Sequence, residues 1–304
     1  MSTENTTSCF IAIVGRPNVG KSSLLTRIVG SKVAIVSDKP QTTRTRITGV
    51  YTDGETQLVF LDTPGHHRSH NRLDDFMRRS IGEALSGVDA CVLVTEPDKL
   101  IRSEEEELLS RLQKDGTPVV LVINKTDTLA DKTALLACMD RWNQAFCFDS
   151  IWPVSAKSGD GVEELLEHLK SYAFESPHYF PDNAVTDQPE RVVAAEVIRE
   201  KMLLLLQQEV PHGIAVVIES WRERETAGGD AIIDMDATIY CERDTHKGII
   251  IGKRGAMLRQ IGTAARTEME EIFGTRVNLQ CWVKVKEDWR NRITGLQQFG
   301  YTLE

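Results

Sequence analysis

The stretch that most limits what this chain can fold into is Gly15-Arg16-Pro17-Asn18-Val19-Gly20-Lys21-Ser22. It meets the pattern G-x-x-x-x-G-K-[ST] at every fixed position. Its flanks agree with it. Cys9 to Val14 (CFIAIV) is a short apolar run of the kind a buried strand needs. From Ser23 to Gly30, Leu24, Leu25 and Ile28 fall on one helical face. Strand, glycine loop and helix form the order that phosphate binding requires. Backbone N–H groups of the loop and of the helix N-terminus can wrap a polyphosphate, and the helix dipole favours its charge. Lys21 would reach the β- and γ-phosphates, with Ser22 placed for Mg²⁺ and Ser23 beside it.

Downstream, short apolar runs alternate with helical patterns: strands near 47–52, 55–62, 88–95, 117–124 and 151–155, helices near 72–85, 133–146 and 161–172. Ser103 and Glu106 are spaced as a capping box that opens another acidic helix reaching about Lys114. Asp53-Gly54 between two runs is a hairpin signal. The expectation is an α/β domain over 1–176, with a mostly parallel sheet, helices on both faces and one antiparallel edge strand. On such sheets ligands sit at the carboxyl ends of the strands. Three more motifs fall there: Asp62-Thr63-Pro64-Gly65, Asn124-Lys125-Thr126-Asp127 and Ser155-Ala156-Lys157. Asp62 can hold Mg²⁺ through a water, and the Gly65 N–H can sense a γ-phosphate. A carboxylate at Asp127 can accept from both guanine N1–H and the exocyclic amine, a donor pair adenine lacks. A backbone N–H in the last motif can reach guanine O6.

These residues resemble the G1, G3, G4 and G5 boxes of translation-factor-class GTPases. GRPNVGKS, with Gln41-Thr42-Thr43-Arg44 and then Thr45 as the switch I element, resembles the Era family in particular. The resemblance implies slow GTP hydrolysis, with turnover on the order of 10⁻⁴–10⁻² s⁻¹ as in unassisted small GTPases. It implies that a switch threonine, Thr42 or Thr43, completes the Mg²⁺ shell, and the sequence does not separate the two. In the wider group an asparagine at the position of Asn18 can help coordinate K⁺, which adds an optional second cation. Lys21 and Gly65 are the expected catalytic contributors. His66 departs from the pattern, since an apolar residue usually follows DTPG in Era-like proteins. Three readings stay open: a water-placing catalytic residue, a solvated loop histidine, or a metal site with His67 and His70. Arg16, Arg44 and Arg46 are near enough to matter but read as surface or switch residues.

Residues 176–191 hold three prolines and little period, and 177–191 read as a linker. Beyond it, over 192–304, the order is helix, two strands, helix, helix, strand, an α+β unit. Ile249-Ile250-Ile251-Gly252-Lys253-Arg254-Gly255 places a GXXG loop between the two helices. Glycines there let the backbone approach a nucleic acid backbone closely, as KH domains do when they clamp about four nucleotides. Between Thr245 and Thr267 lie five basic residues (Lys247, Lys253, Arg254, Arg259, Arg266) and no acidic one, although the region from Val192 carries fifteen basic and seventeen acidic side chains. A local cationic strip on a slightly acidic domain suits a groove. Trp282, Lys284 and Lys286 alternate on the last strand, either facing RNA or forming an exposed face with a partly buried tryptophan. The element order resembles the type II KH fold.

Taken with the GTPase boxes, the resemblance to the Era family covers nearly the whole chain. It implies binding near the 3′ end of 16S rRNA, assistance in assembly of the 30S subunit, a monomer, and a cytoplasmic location with peripheral inner-membrane contact in some members. The alternative is a GTPase switch whose second domain binds a protein or membrane partner. A tRNA-modifying or septum GTPase would need a further motif such as a terminal C-x-G-K, which the sequence lacks. The net charge of −9 argues against wholesale wrapping of nucleic acid. Six scattered cysteines without a C-x-x-C pair read as reduced thiols. The first residues, MSTENTTS, lack the basic start and apolar run of a signal peptide.

Overall fold

In a computed structural model, residues 6–301 are described except 36, 38, 40, 41, 67–70, 99, 130, 132, 208, 209, 226 and 227. β1 (Thr7–Gly15) is buried along most of its length, and the P-loop leads from it into α1 (Lys21–Val29). β2 (Ile47–Asp53) and β3 (Thr56–Asp62) form the hairpin expected at Asp53-Gly54, with Gly54 at φ 56°. Then follow α2 (Arg72–Leu85), β4 (Ala90–Thr95), α3 (Ser103–Asp115), β5 (Val119–Ile123), α4 (Thr133–Ala145), β6 (Ser150–Pro153), α5 (Val162–Lys170) and the two-residue β7 (Phe174–Glu175). The sheet runs β2-β3-β1-β4-β5-β6, with β7 added to β1. β3, β1, β4, β5 and β6 are parallel. Their apolar runs are continuous because both faces are covered. On one face Leu24, Leu25 and Ile28 of α1 and Leu165, Leu166 and Leu169 of α5 pack on Ile11 and Ile13. On the other, Ile81, Leu108, Leu112 and Trp142 pack on Ala12 and Val14. β1 lies between β3 and β4, where the strand order reverses, so the P-loop opens at the switch point of the sheet.

The cap of α3 differs from the expectation. Ser103 is already helical, and Glu105, not Glu106, reaches back to the Arg102 N–H at 2.9 Å. Glu105 is drawn inward because Thr95 and Arg16 both donate to its other oxygen at 2.8 Å.

The chain divides into two compact units, one reaching Asp187 and one from Gln188 together with Asn71–Leu73. The proline-bearing stretch is docked on the first unit. Gln57 accepts from the N–H groups of Tyr179 and Phe180 and donates to the Phe180 carbonyl, and Val50 N–H donates to the Val185 carbonyl at 2.9 Å. The second unit comprises α6 (Glu190–Leu205), β8 (Ala215–Glu225), β9 (Ala231–Cys241), α7 (Asp244–Ile251), α8 (Ala256–Phe273), β10 (Arg276–Val285) and α9 (Ile293–Gln298). Its sheet order is β10-β9-β8, with β8 antiparallel and β10 parallel to β9. Val197, Ile198, Ile261, Ala265 and Met269 cover one side of that sheet, against Ile233, Met235, Ala237 and Ile239. Among the described residues, no helix is long and apolar enough to cross a membrane.

Candidate nucleotide site and nucleic-acid cleft

The four boxes and switch I meet at the carboxyl ends of β1, β3, β5 and β6. A pocket is lined by Pro17, Asn18, Gly20, Lys21, Ser22, Ser23, Thr42, Thr43, Gly65 and Lys125, and also by Ile35 and Ser37, which the sequence reading left out. The Lys21 ammonium donates to the carbonyls of Gly15 (3.1 Å) and Arg16 (2.9 Å). Burial lowers its pKa to about 8, against the pull of Asp62. Gly20 must be glycine here: its φ is +94°, and a Cβ would stand 2.2 Å from Asn124 Nδ2. Asn124 is a cross-link, donating to the Val19 carbonyl and accepting from the Ala156 N–H, each at 2.9 Å. Lys125 donates to the Asn18 carbonyl at 2.6 Å and pairs with Glu96. Ser155 Oγ donates to Asp127 Oδ1 at 2.7 Å, bringing the guanine-reading boxes together at an exposed carboxylate. Lys157 is exposed at the end of this loop.

The two switch threonines separate cleanly. Thr43 Oγ1 lies 2.9 Å from Ser22 Oγ, and Ser22 donates to Asp62 Oδ2 at 2.6 Å. Thr42 instead donates to the Lys39 carbonyl within its own loop. Asp62 is fully buried and its Oδ1 has no hydrogen-bond partner among the described residues. Burial pushes this carboxyl up to about 6, opposed by Lys21 and by the two hydroxyls. Two hydroxyls and a partly unsatisfied buried carboxylate, all hard oxygen donors, fit Mg²⁺. Gln41 lies outside the described residues. Arg44 is not a surface residue: it is 2% exposed, while Thr45 is half-buried. Arg16 turns from the pocket to Glu105 and Asp98.

His66 is not a solvated loop histidine either. It is 1% exposed, and its ring faces α3, with Nε2 3.2 Å from Glu107. It does not line the pocket. His67 and His70 lie outside the described residues, so a three-histidine metal site has no described geometry. Thr63 donates to the Ile13 carbonyl. Pro64 leads to Gly65, whose Cβ position would lie 2.7 Å from Pro17.

In the second unit Lys253 and Arg254 are exposed at the tip between α7 and α8, and Arg254 adopts a left-handed φ of 54°. An open cleft beside the loop is lined by Gly255, Leu258, Arg259, Gly262, Arg266, Leu279 and Cys281. Lys247 is half-buried on α7 and does not line the cleft. Trp282 is 58% exposed, which removes the partly buried reading. Strand side chains alternate between faces, so Trp282 and Lys284 point away from the cleft that Leu279 and Cys281 line.

A family model described as a 50S ribosome-binding GTPase matches residues 10–125, and a KH domain model matches residues 209–290. GTPase Era of Clostridioides difficile (strain 630) is 48% identical, over 97% of this chain and 98% of its own. That of Ruminiclostridium cellulolyticum is 46% identical, over 97% of each. The chain belongs to the Era GTPase family. A solved structure of Era with MgGDPNP and nucleotides 1506–1542 of 16S ribosomal RNA superposes with a TM-score of 0.93, at 36% identity, over 98% of this chain and all of that one. A variant of Aquifex aeolicus Era bound to GDP and AlF4⁻ gives 0.92 at the same identity and coverage. The fold is thus that of Era: a P-loop GTPase domain followed by a type II KH domain, and the activity is GTP hydrolysis.

Three side chains of this Era site escaped the motif reading. Arg27 on α1 donates to the carbonyls of Ala156 and Lys157, fixing the guanine loop to the P-loop helix. Glu96 neutralises Lys125, and Glu105 holds Arg16. Each acts across long sequence separations, so no spacing could signal it.

Proposed function

We propose that this Era-family chain is a slow guanine-nucleotide switch that binds 16S rRNA near its 3′ end through the KH cleft and assists 30S subunit assembly in the cytoplasm. The observation that carries the reading is the pairing, in one chain, of a wired guanine-nucleotide pocket with a GXXG cleft bearing Lys253, Arg254 and Arg259. The solved Era complex with a 16S rRNA fragment supports it. We read 1–176 as the nucleotide domain, 177–191 as a connection and 192–304 as the RNA-binding domain. The docking of 176–187 on the first unit favours counting that strap with the nucleotide domain.

In the pocket, the P-loop N–H groups and Lys21 hold the phosphates. Asp127 selects guanine, and Ser155, Ala156 and Lys157 shape the base loop. Ser22 and Thr43 would hold Mg²⁺ directly and Asp62 through a water. Mg²⁺ would neutralise phosphate charge when bound. The Gly65 N–H reads the γ-phosphate, and Lys21 stabilises the charge that develops as water attacks it. Asn18, with its left-handed φ of 66°, is the residue we assign to K⁺. The protein acts as a monomer, with any membrane contact peripheral.

The test is RNA affinity and footprinting at fixed salt with GDPNP or GDP, using small-subunit rRNA fragments. Selective protection near the 16S 3′ end that tightens with GDPNP is the expected result. No preference for rRNA would return the second domain to a protein or membrane partner.

A further inference from the structure

The segment after the aspartate of DTPG is clamped from two sides. Its backbone rests on the P-loop: the His66 N–H donates to the Gly15 carbonyl at 3.0 Å, the same carbonyl that takes the Lys21 ammonium. Gly65 is packed so closely on Pro17 that no side chain fits between them. The His66 ring then enters a buried slot and meets Glu107 on α3. Glu107 is itself held. Its other oxygen accepts from Arg78 of α2 at 2.7 Å and from Arg111, one turn along α3, at 2.9 Å. Neither ring nitrogen of His66 makes a well-aligned hydrogen bond among the described residues, and the approach of Nε2 to the Glu107 carboxylate at 3.2 Å is the polar contact that holds this ring. Burial lowers the His66 pKa, opposed by the nearby Glu107 carboxylate.

We propose that Glu107 is a positioning residue for γ-phosphate recognition: by anchoring the His66 ring to α3, it holds the Gly65 N–H at the nucleotide pocket. This places His66 as the tether of the γ-phosphate sensor, turned away from the attacking water. The proposal rests on the reading of Gly65 as that sensor. GDP lacks the γ-phosphate, so its binding does not depend on the tether.

The full-length protein is tested with fluorescent GDPNP and GDP in Mg²⁺. Glu107→Ala and His66→Ala should each weaken GDPNP roughly five- to tenfold, the size of one ordinary polar contact. GDP affinity should stay within about twofold, and the double variant should lose no more than either single one, since both break one contact. Glu107→Gln keeps the shape and an oxygen beside Nε2 and should retain most of the GDPNP affinity. Equal losses for both nucleotides, additive losses, or no loss would overturn the proposal. Gly65→Ala separates the two readings. If it leaves the ratio of GDPNP to GDP affinity unchanged, Gly65 is not the sensor. If it lowers that ratio while Glu107→Ala and His66→Ala do not, the sensor stands and the tether falls.

Discussion

The two glycine loops of this chain solve opposite problems. The P-loop is cross-linked by the protein's own side chains. Asn124 and Lys125 tie it to the base-reading loops, Arg27 ties those loops to α1, and Ser22, Thr43 and Asp62 form one hydrogen-bonded set. The KH loop carries exposed basic tips over an open cleft: a Cβ on Gly252 would stand 2.7 Å from Met257 at the base of the loop, but one on Gly255 would meet nothing within 4 Å. Phosphoryl transfer needs donors fixed where charge develops. Single-stranded RNA is held by backbone charge and stacking on an accessible surface. Tight wiring throughout one loop and an open tip on the other follow from those demands.

Substituting the glycines should expose this contrast most sharply. Gly20→Ala drives a methyl into Asn124 at a left-handed φ and should cost about a hundredfold or more in nucleotide affinity, read by fluorescent GDP titration. Gly255→Ala meets only the backbone penalty of its φ of +78°, and its rRNA affinity should fall by no more than about tenfold. Next in size, Lys253→Asp with Arg254→Asp should weaken rRNA binding by about two orders of magnitude and flatten the salt slope by about 1.4. GTP hydrolysis without RNA should be unchanged in that variant. A smaller effect tests the wiring itself. Thr43→Ala should lower Mg²⁺-dependent GDPNP affinity about tenfold while Thr42→Ala changes it less than about twofold, since only Thr43 joins Ser22 and Asp62.

The smallest effect is a pH dependence of the nucleotide-free protein. Asp62 is held near pKa 6 by burial, above its ordinary 3.8, so the folded state keeps this proton better than the unfolded chain. Its stabilising contribution is full below about 4 and is lost as pH rises through about 6. In chelator, the melting-temperature difference between wild type and Asp62→Asn should therefore shift in favour of the variant between those values.

The parts of this molecule that were legible in the sequence are those whose chemistry is local. CFIAIV could only be a buried strand, Asp-Gly a hairpin, and GRPNVGKS a phosphate cradle, because each is specified by adjacent residues. What escaped depends on which face a residue meets after folding. Thr42 and Thr43 are neighbours with the same hydroxyl, and only the path of switch I past Ser22 tells them apart. His66 leaves three readings open in the sequence, and only the fold shows it buried against Glu107, forty-one positions on. Trp282 and Cys281 are adjacent on β10, and only the side chosen by α8 decides which of them lines the cleft.

The strap at 176–187 has a consequence for how the first unit can be handled alone. β2 is the outer strand of the sheet, and its outward N–H and C=O groups would otherwise be a template for other chains. Val185 takes the Val50 N–H, Thr186 donates to the Thr48 carbonyl, and Asp187 accepts from the Thr48 hydroxyl. A fragment ending at Ser176 would bare that edge and self-associate, whereas one ending at Asp187 would carry its own seal.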